Sequence, residues 1–422
     1  MSRLPNTRFR NSSRWLSLLL LIPLLFASFP FQVGDAAPAF GPHSQTASVL
    51  SKLTPQQKIG QLLLVTFKGT DVSQGSGIER LISNYHIGGV ILQAANDNFS
   101  SSDTLSSVIR LNQQLQSHAY NASLTDLTDE LSNETYRPAY LPLLIGISQE
   151  GGSLPNDQIL SGLTMMPNQM AIGATWNPNF ARQAGNITGQ ELSALGFNLL
   201  LGPSLDVLET PYPEAYQDMG TRTFGGDSFW VSQMAQAYIS GLHQGSQNRL
   251  ATVAKHFPGY GSADRTPENE VATVRRSLSE LIGSDLIPFF DVTGEAAADD
   301  TRVDGLLASH IRFQGFDAAA PRATTRLVSL DATTMQVLVG LPAIQTWRAG
   351  GGLMVSDDLG GQAIRSYMDL SSQQYEPQRV ILQALIAGND LLFISDFSTQ
   401  NHPAAFPSTV NTINYLVQKY KE

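Results

Sequence analysis

Chemistry-bearing residues cluster where short apolar runs stop. The run Thr252–His256 continues into Phe257-Pro258-Gly259, Gly305–His310 continues into Ile311-Arg312, and Gly352–Asp357 is followed by Asp358. Leu143–Ile147 opens into Ser148-Gln149-Glu150-Gly151-Gly152, and Asn198–Gly202 leads on to Pro203-Ser204-Leu205-Asp206. Every strand must meet water somewhere, so one such end carries no meaning alone. Five runs that all empty into Lys, His, Asp or Glu predict a polar pocket ringed by strand ends. The chain has no cysteine, which excludes disulfides, thiolate nucleophiles, Cys-ligated zinc and iron–sulfur clusters. It has neither a phosphate-cradling GxxxxGK[ST] loop nor a grouped His set for a metal, so no metal and no organic cofactor is implied. Carboxylates beside Lys, His and Arg fit sugar recognition and glycosidic cleavage. That reaction needs one ionised carboxylate as nucleophile and a second group as proton donor.

Eight apolar runs must position these residues: Leu62–Phe67, Gly89–Leu92, Leu143–Ile147, Asn198–Gly202, Thr252–His256, Gly305–His310, Gly352–Asp357 and Leu391–Ser395. They are short, rich in Leu and β-branched residues, and lack polar alternation, as strands buried on both faces require. Between them lie stretches with helical spacing, among them Asn179–Leu195, Asp227–His243, Ser279–Phe290 and Glu376–Ala387. Alternation of this kind predicts an α/β fold with a parallel sheet. Eight units point to a TIM-type (β/α)8 barrel, with a doubly wound open sheet as the alternative. Two segments break the rhythm: Ser117–Pro138, polar and acidic before the third run, and Ser262–Ser277, a charged loop after the fifth. In a barrel, a loop that follows a strand lies on the face where active sites are built. Neither segment reads as a linker, so the expectation is one barrel domain over residues 46–422.

The first 36 residues read differently. Arg3, Arg8, Arg10 and Arg14 precede a Leu-rich run, Trp15 to Phe29, broken by Pro23 and followed by Gly34-Asp35-Ala36-Ala37. This is the pattern of a secretory signal peptide cleaved near Ala36, too short and interrupted for a comfortable membrane span. The expectation is an exported protein at a bacterial cell exterior, with no stable membrane span after cleavage. The Asn-x-Ser/Thr triplets at Asn98, Asn121, Asn133 and Asn186 then read as chance. With 26 Lys and Arg against 36 Asp and Glu the net charge is −10. No basic block follows the first fourteen residues, which argues against a nucleic-acid partner. A hydrophobic content of 42% is enough for a large core. Oligomeric state is not legible.

At the same residues the chain resembles the N-terminal domain of glycoside hydrolase family 3, specifically its single-domain β-N-acetylglucosaminidase branch. The resemblance runs in order from about residue 50 to 395. It is carried by Lys58-Ile59-Gly60-Gln61-Leu62, His86-Ile87-Gly88-Gly89-Val90-Ile91-Leu92, Gln149-Glu150-Gly151-Gly152 and Gly196-Phe197-Asn198 with Pro203 and Asp206. It continues through Arg222-Thr223-Phe224-Gly225, Lys255-His256-Phe257-Pro258-Gly259, Val355-Ser356-Asp357-Asp358-Leu359 and Ala387-Gly388-Asn389-Asp390. The resemblance implies a TIM-type barrel and a retaining mechanism with Asp357 as nucleophile. It also implies that Arg222, Lys255 and His256 hold sugar hydroxyls. Two plainer readings stand beside it: Asp357 as a helix cap, and Lys255 with His256 as a core ion network.

The departures are specific. The family's loop after Lys-His-Phe-Pro-Gly carries an Asp-x-His pair as acid/base, and those positions here are Thr266 and Glu268. The family's sugar-gripping Asp is Ser148, and an Arg eight residues on is Asn156. The expectation is therefore a β-glycosidase acting on a carbohydrate, an N-acetylhexosaminide by resemblance, with Glu268 as acid/base in place of the missing pair. Two alternatives stay open. One is a non-catalytic sugar- or peptidoglycan-binding barrel; the other is the multidomain β-glucosidase branch, whose acid/base comes from a following domain. The sugar, the linkage and the choice of water or phosphate as acceptor are not written in the sequence.

Overall fold

Each of the eight apolar runs coincides, within two residues at either end, with one strand of a single parallel sheet. In the computed structural model these are β1 (Leu63–Val65), β2 (Gly89–Ile91), β3 (Leu144–Ile147), β4 (Leu199–Ser204), β5 (Ala251–Phe257), β6 (Gly305–Ala308), β7 (Leu353–Ser356) and β8 (Leu392–Ile394). Residues 44–99, 102–128, 133, 135–153, 156–208, 219–265, 271–294, 297–315, 325–370, 375–399 and 404–422 are described. The strands pair in the order β7-β6-β5-β4-β3-β2-β1-β8. A parallel bridge between Val355 and Leu391 joins the two ends, so the sheet closes into a TIM-type barrel. The seam is fastened by the Ser356 N–H donating to Leu391 O at 2.9 Å and the Phe393 N–H donating to Ser356 Oγ at 3.0 Å.

The barrel has two cores because each strand is buried on both faces. Leu64, Ile91, Leu199, Leu201, Val253, Leu307, Val355 and Phe393 fill the interior. A second, larger cluster lies between sheet and helices and takes the alternate positions, such as Leu63, Val65, Leu200, Ala254, Leu306 and Met354. Gly146 is interior, and a Cβ there would lie 2.4 Å from Ile91 Cδ1, so glycine leaves the space that Ile91 fills.

The helices Pro178–Ala194 and Ser228–Ser246 start where their sequences say they should. Asn177 and Asp227 cap them, accepting from the N–H groups of Asn179 and Trp230. The two helices touch backbone to backbone. Side chains at Gly185, Gly189, Gly241 or Gly245 would fall within 2.4 Å of a carbonyl oxygen on the facing helix.

Three expectations change. Ser279–Phe290 is not one helix but two, Leu278–Gly283 and Ile287–Thr293. Pro288 has no N–H to continue the first helix and starts the second instead. Ser117–Pro138 is not a plain insertion: the helix Thr104–Ala122 runs into it, and Leu127–Thr128 then pairs antiparallel with Thr135–Tyr136. Ser262–Ser277 is not loop throughout, because Thr273–Ser277 forms a parallel ribbon with Arg312–Gly315 from the segment after β6. No described helix is long and apolar enough to cross a membrane.

Candidate active site

Strand parity decides what enters the barrel mouth. Successive side chains on a strand alternate in direction, so the residue two beyond an interior one also points inward. Two beyond Ile91 is Gln93, two beyond Val253 is Lys255, and two beyond Val355 is Asp357. All of them line one cavity of about 290 Å³, floored by Ile91, Leu201, Leu307 and Phe393. Ser148, Arg222, His256, Tyr260, His310 and Asp358 complete most of its polar wall. The cavity opens at the carboxyl ends of the strands, where barrel active sites are built.

Glu150 organises the cations. Its carboxylate receives Arg222 through two parallel bonds, Nε to Oε2 at 2.8 Å and Nη2 to Oε1 at 3.1 Å, and also binds the Lys255 ammonium. Lys255 further donates to Ser148 Oγ at 3.0 Å. Burial alone would raise the Glu150 pKa, but the charges of Arg222 and Lys255 outweigh it and hold the carboxyl far below the usual range. The cluster therefore stays ionised and carries one net positive charge against the cavity.

A second buried carboxylate, Asp206, fixes His256. Nδ1 of the ring lies 2.7 Å from Asp206 Oδ2, and Nε2 lies 3.0 Å from the Tyr260 hydroxyl. Asp206 also accepts from Ser204 Oγ at 2.8 Å and from the Tyr260 N–H at 2.8 Å. Burial opposes its ionisation, yet His256 and these donors bring its pKa below the ordinary value.

The adjacent acids that follow β7 are sorted by direction. The Asp358 carboxylate accepts from the N–H groups of Gly360 at 3.0 Å and Ser395 at 2.8 Å, so it ties the β7 and β8 loops together. Burial raises its pKa. Asp357 accepts only the N–H of Asp358, at 2.8 Å, among the hydrogen bonds of the described residues, and it faces the cavity. His310 locks this turn, with Nε2 donating to Asp358 O at 2.9 Å and Nδ1 lying 2.6 Å from Ser329 Oγ.

Of the residues singled out from sequence, Asp357, Arg222, Lys255 and His256 come together around this cavity. Glu268, with Thr266 and Glu270, lies outside the described residues. Ser148 stands against Lys255, while Asn156 reaches toward Thr221 Oγ1 at 3.5 Å and is not part of the cavity wall. Sequence reading named Glu150 and Asp206 as strand-end residues and as parts of the resembling motifs, and missed their anchoring roles. It also missed Tyr260 in the wall, although its place four residues after His256 was visible.

A closed parallel barrel with an acid facing fixed cations at its strand ends defines an enzyme of the TIM-barrel class. The chain belongs to glycosyl hydrolase family 3, whose N-terminal domain matches residues 54–419. It is 25% identical over 348 residues to a beta-hexosaminidase (LpqI) of Mycobacterium bovis, covering 82% of this chain and 75% of that protein. It is 27% identical to a beta-hexosaminidase of Alkalilimnicola ehrlichii, covering 82% and 83%. Among solved structures it is similar to a family 3 beta-N-acetylglucosaminidase from Paenibacillus sp., with TM-score 0.65 and 25% identity. That match covers 87% of this chain and 58% of the other, so the chain spans a little over half of that protein's length. The fold is also that of a beta-N-acetylhexosaminidase from Beutenbergia cavernae, with TM-score 0.62 over 87% of this chain and 97% of that one.

Proposed function

We propose that this protein is an exported glycoside hydrolase that releases β-linked N-acetylhexosamine in two steps with retention, Asp357 being the nucleophile. One observation carries the reading: Asp357 lines the same cavity as the Glu150-anchored pair Arg222 and Lys255, while Asp358 is committed to backbone N–H groups. In the first step an Asp357 oxygen bonds to the anomeric carbon as the glycosidic bond breaks, and Glu268 gives its proton to the departing oxygen. In the second, Glu268 takes a proton from water as that water displaces Asp357 from the anomeric carbon. Arg222, Lys255 and His256 orient the sugar, the cations donating directly to its hydroxyls. The beta-hexosaminidase names of the relatives support an N-acetylhexosaminide as substrate.

Turnover of nitrophenyl β-glycosides of N-acetylglucosamine and glucose tests the reading. Asp357→Ala is expected to lose on the order of 10⁴-fold or more in kcat, with its unfolding midpoint little changed. Near-full activity in Asp357→Ala, with loss in Asp358→Ala, would reverse the assignment. The missing Asp-x-His pair favours one other reading, a sugar-binding barrel without chemistry. Absence of turnover of either glycoside by folded protein would select it. Export rests on the arginine-rich start and apolar run, and N-terminal sequencing of secreted protein is expected to begin near Ala37; a Met1 start would refute cleavage.

A further inference from the structure

The turn that follows β7 is held at consecutive peptides. Among its N–H groups, Asp357 donates to Ala308 O at 3.0 Å, Leu359 to Phe393 O at 2.9 Å, and Gly360 to the Asp358 carboxylate at 3.0 Å. Three consecutive carbonyls of the same turn each accept from a different side chain. Asp358 O takes His310 Nε2 at 2.9 Å, Leu359 O takes the Tyr375 hydroxyl at 3.0 Å, and Gly360 O takes Arg365 Nε at 2.9 Å. Arg365 belongs to the helix Gln362–Leu370 and spends its other two nitrogens on the loop after β8. Nη1 donates to Ser398 O at 3.0 Å and Nη2 to Asp396 O at 2.7 Å. The guanidinium lies over the Tyr375 ring, 4.1 Å from its centroid. Burial raises the Tyr375 pKa, so the phenol keeps the proton that it donates. Closure of the barrel depends on neither residue, because backbone bonds and Ser356 make the seam.

Arg365 and Tyr375 do not line the cavity, whereas the turn they hold supplies Asp357, Asp358 and Gly361 to its wall. The Asp357 carboxylate accepts the Asp358 N–H at 2.8 Å, so its aim follows the peptide between the two acids. We infer that Arg365 and Tyr375 are positioning residues for Asp357: they hold the turn so that the carboxylate meets the anomeric carbon, and they do so without touching the sugar. Attack is sensitive to such aim, since a misplacement of about 1 Å costs on the order of 100-fold in rate. The two residues act differently. Tyr375 fixes one peptide, whereas Arg365 fastens the turn to the loop after β8 through a planar fork that an ammonium cannot reproduce. This rests on the reading of Asp357 as nucleophile.

The test begins with Tyr375→Phe, which keeps the ring beneath Arg365 and removes one O–H donor. It is expected to lower kcat on nitrophenyl β-N-acetylglucosaminide about 10-fold with KM little changed. Arg365→Lys should lose about 100-fold in the same way. Calorimetric titration with methyl 1-thio-β-N-acetylglucosaminide counts competent sites, and both variants should match wild type in affinity and stoichiometry. An Asp357→Ala background supplied with azide removes the group being aimed. There azide displaces nitrophenolate from the anomeric carbon and leaves an α-glycosyl azide, and adding Tyr375→Phe should cost nothing further. A merely structural role would reduce the number of binding sites and would persist in the azide reaction. Wild-type kcat in both variants, a raised KM at unchanged kcat, or equal losses in the two backgrounds would overturn the inference. If Arg365→Lys does not fold, Tyr375→Phe decides alone. Failure of the underlying reading looks different: no turnover of any glycoside by wild type, or full activity in Asp357→Ala.

Discussion

Glu150 is the residue on which two cations depend, and its removal separates structure from chemistry. The side chains of Glu150 and Lys255 are 4% and 6% exposed, so deleting the negative charge leaves Lys255 and Arg222 close together and uncompensated. Glu150→Gln is expected to cost about 3–5 kcal/mol of stability and to raise KM, because neither cation keeps its aim. Chemical unfolding together with steady-state kinetics checks both. A stable variant with unchanged KM would mean that Arg222 and Lys255 hold their places without it. The same residue marks a limit of sequence reading. The place of Asp357 at the cavity was legible because it ends an apolar run within the motif Ser356-Asp357-Asp358-Leu359, whereas Glu150 meets Lys255 across 105 positions. Only the closed sheet brings them together. The Asp206 partner of the His256 ring was hidden for the same reason, since it lies 50 positions away.

At the scale of elements, all eight strands were legible because each is buried on both faces and reads as an unbroken apolar run. Helix boundaries were legible where a cap and a proline mark them, as at Asn177-Pro178, and misread where a proline divides a continuous apolar pattern, as at Pro288. The ribbon of Thr273–Ser277 with Arg312–Gly315 was not foreseen because parallel pairing between two loops leaves no local signature. That ribbon anchors the far end of the segment carrying Glu268, whose near end is held by the Asp264 N–H donating to Thr273 O at 3.0 Å. The residues that flank this segment are thus tied to each other. We predict that Glu268→Gln slows glycosides with poor leaving groups far more than activated aryl glycosides in the bond-breaking step. Azide should restore turnover of the activated substrate and yield a β-glycosyl azide, since the variant cannot activate water. Small, equal losses with no azide product would dismiss Glu268 and turn attention to Glu270 or Asp264.

The stability of the whole molecule should carry the signature of a carboxylate behind the active site. Asp285 is fully buried in the turn that divides the two short helices. It faces Arg276 at 2.7 Å, its Oδ1 lacks a hydrogen-bond partner among the described residues, and a Cβ on Gly259 would lie 2.9 Å from its own Cβ. Burial raises its pKa to about 6; Arg276 opposes the rise and the negative charge of Asp206 adds to it. An acid whose pKa is higher folded than unfolded holds its proton more tightly in the native state. Stability from this group is therefore present at low pH and is lost as pH climbs from about 4 to about 6. Glu150 and Asp206, with lowered values, act in the opposite sense and lose their contribution only as pH falls through their folded pKa values. His86, lowered by burial to about 4, acts in the same window, so the difference between a variant and wild type is what isolates Asp285. Asp285→Asn keeps the shape and removes the titration. We predict that the stability of this variant relative to wild type rises by on the order of 2–3 kcal/mol between pH 4.5 and pH 7.5, whatever fixed offset the amide introduces. Urea unfolding of both proteins at the two pH values measures it. A difference that stays constant across that interval would show that Asp285 is ionised throughout, held by Arg276 as an ordinary ion pair.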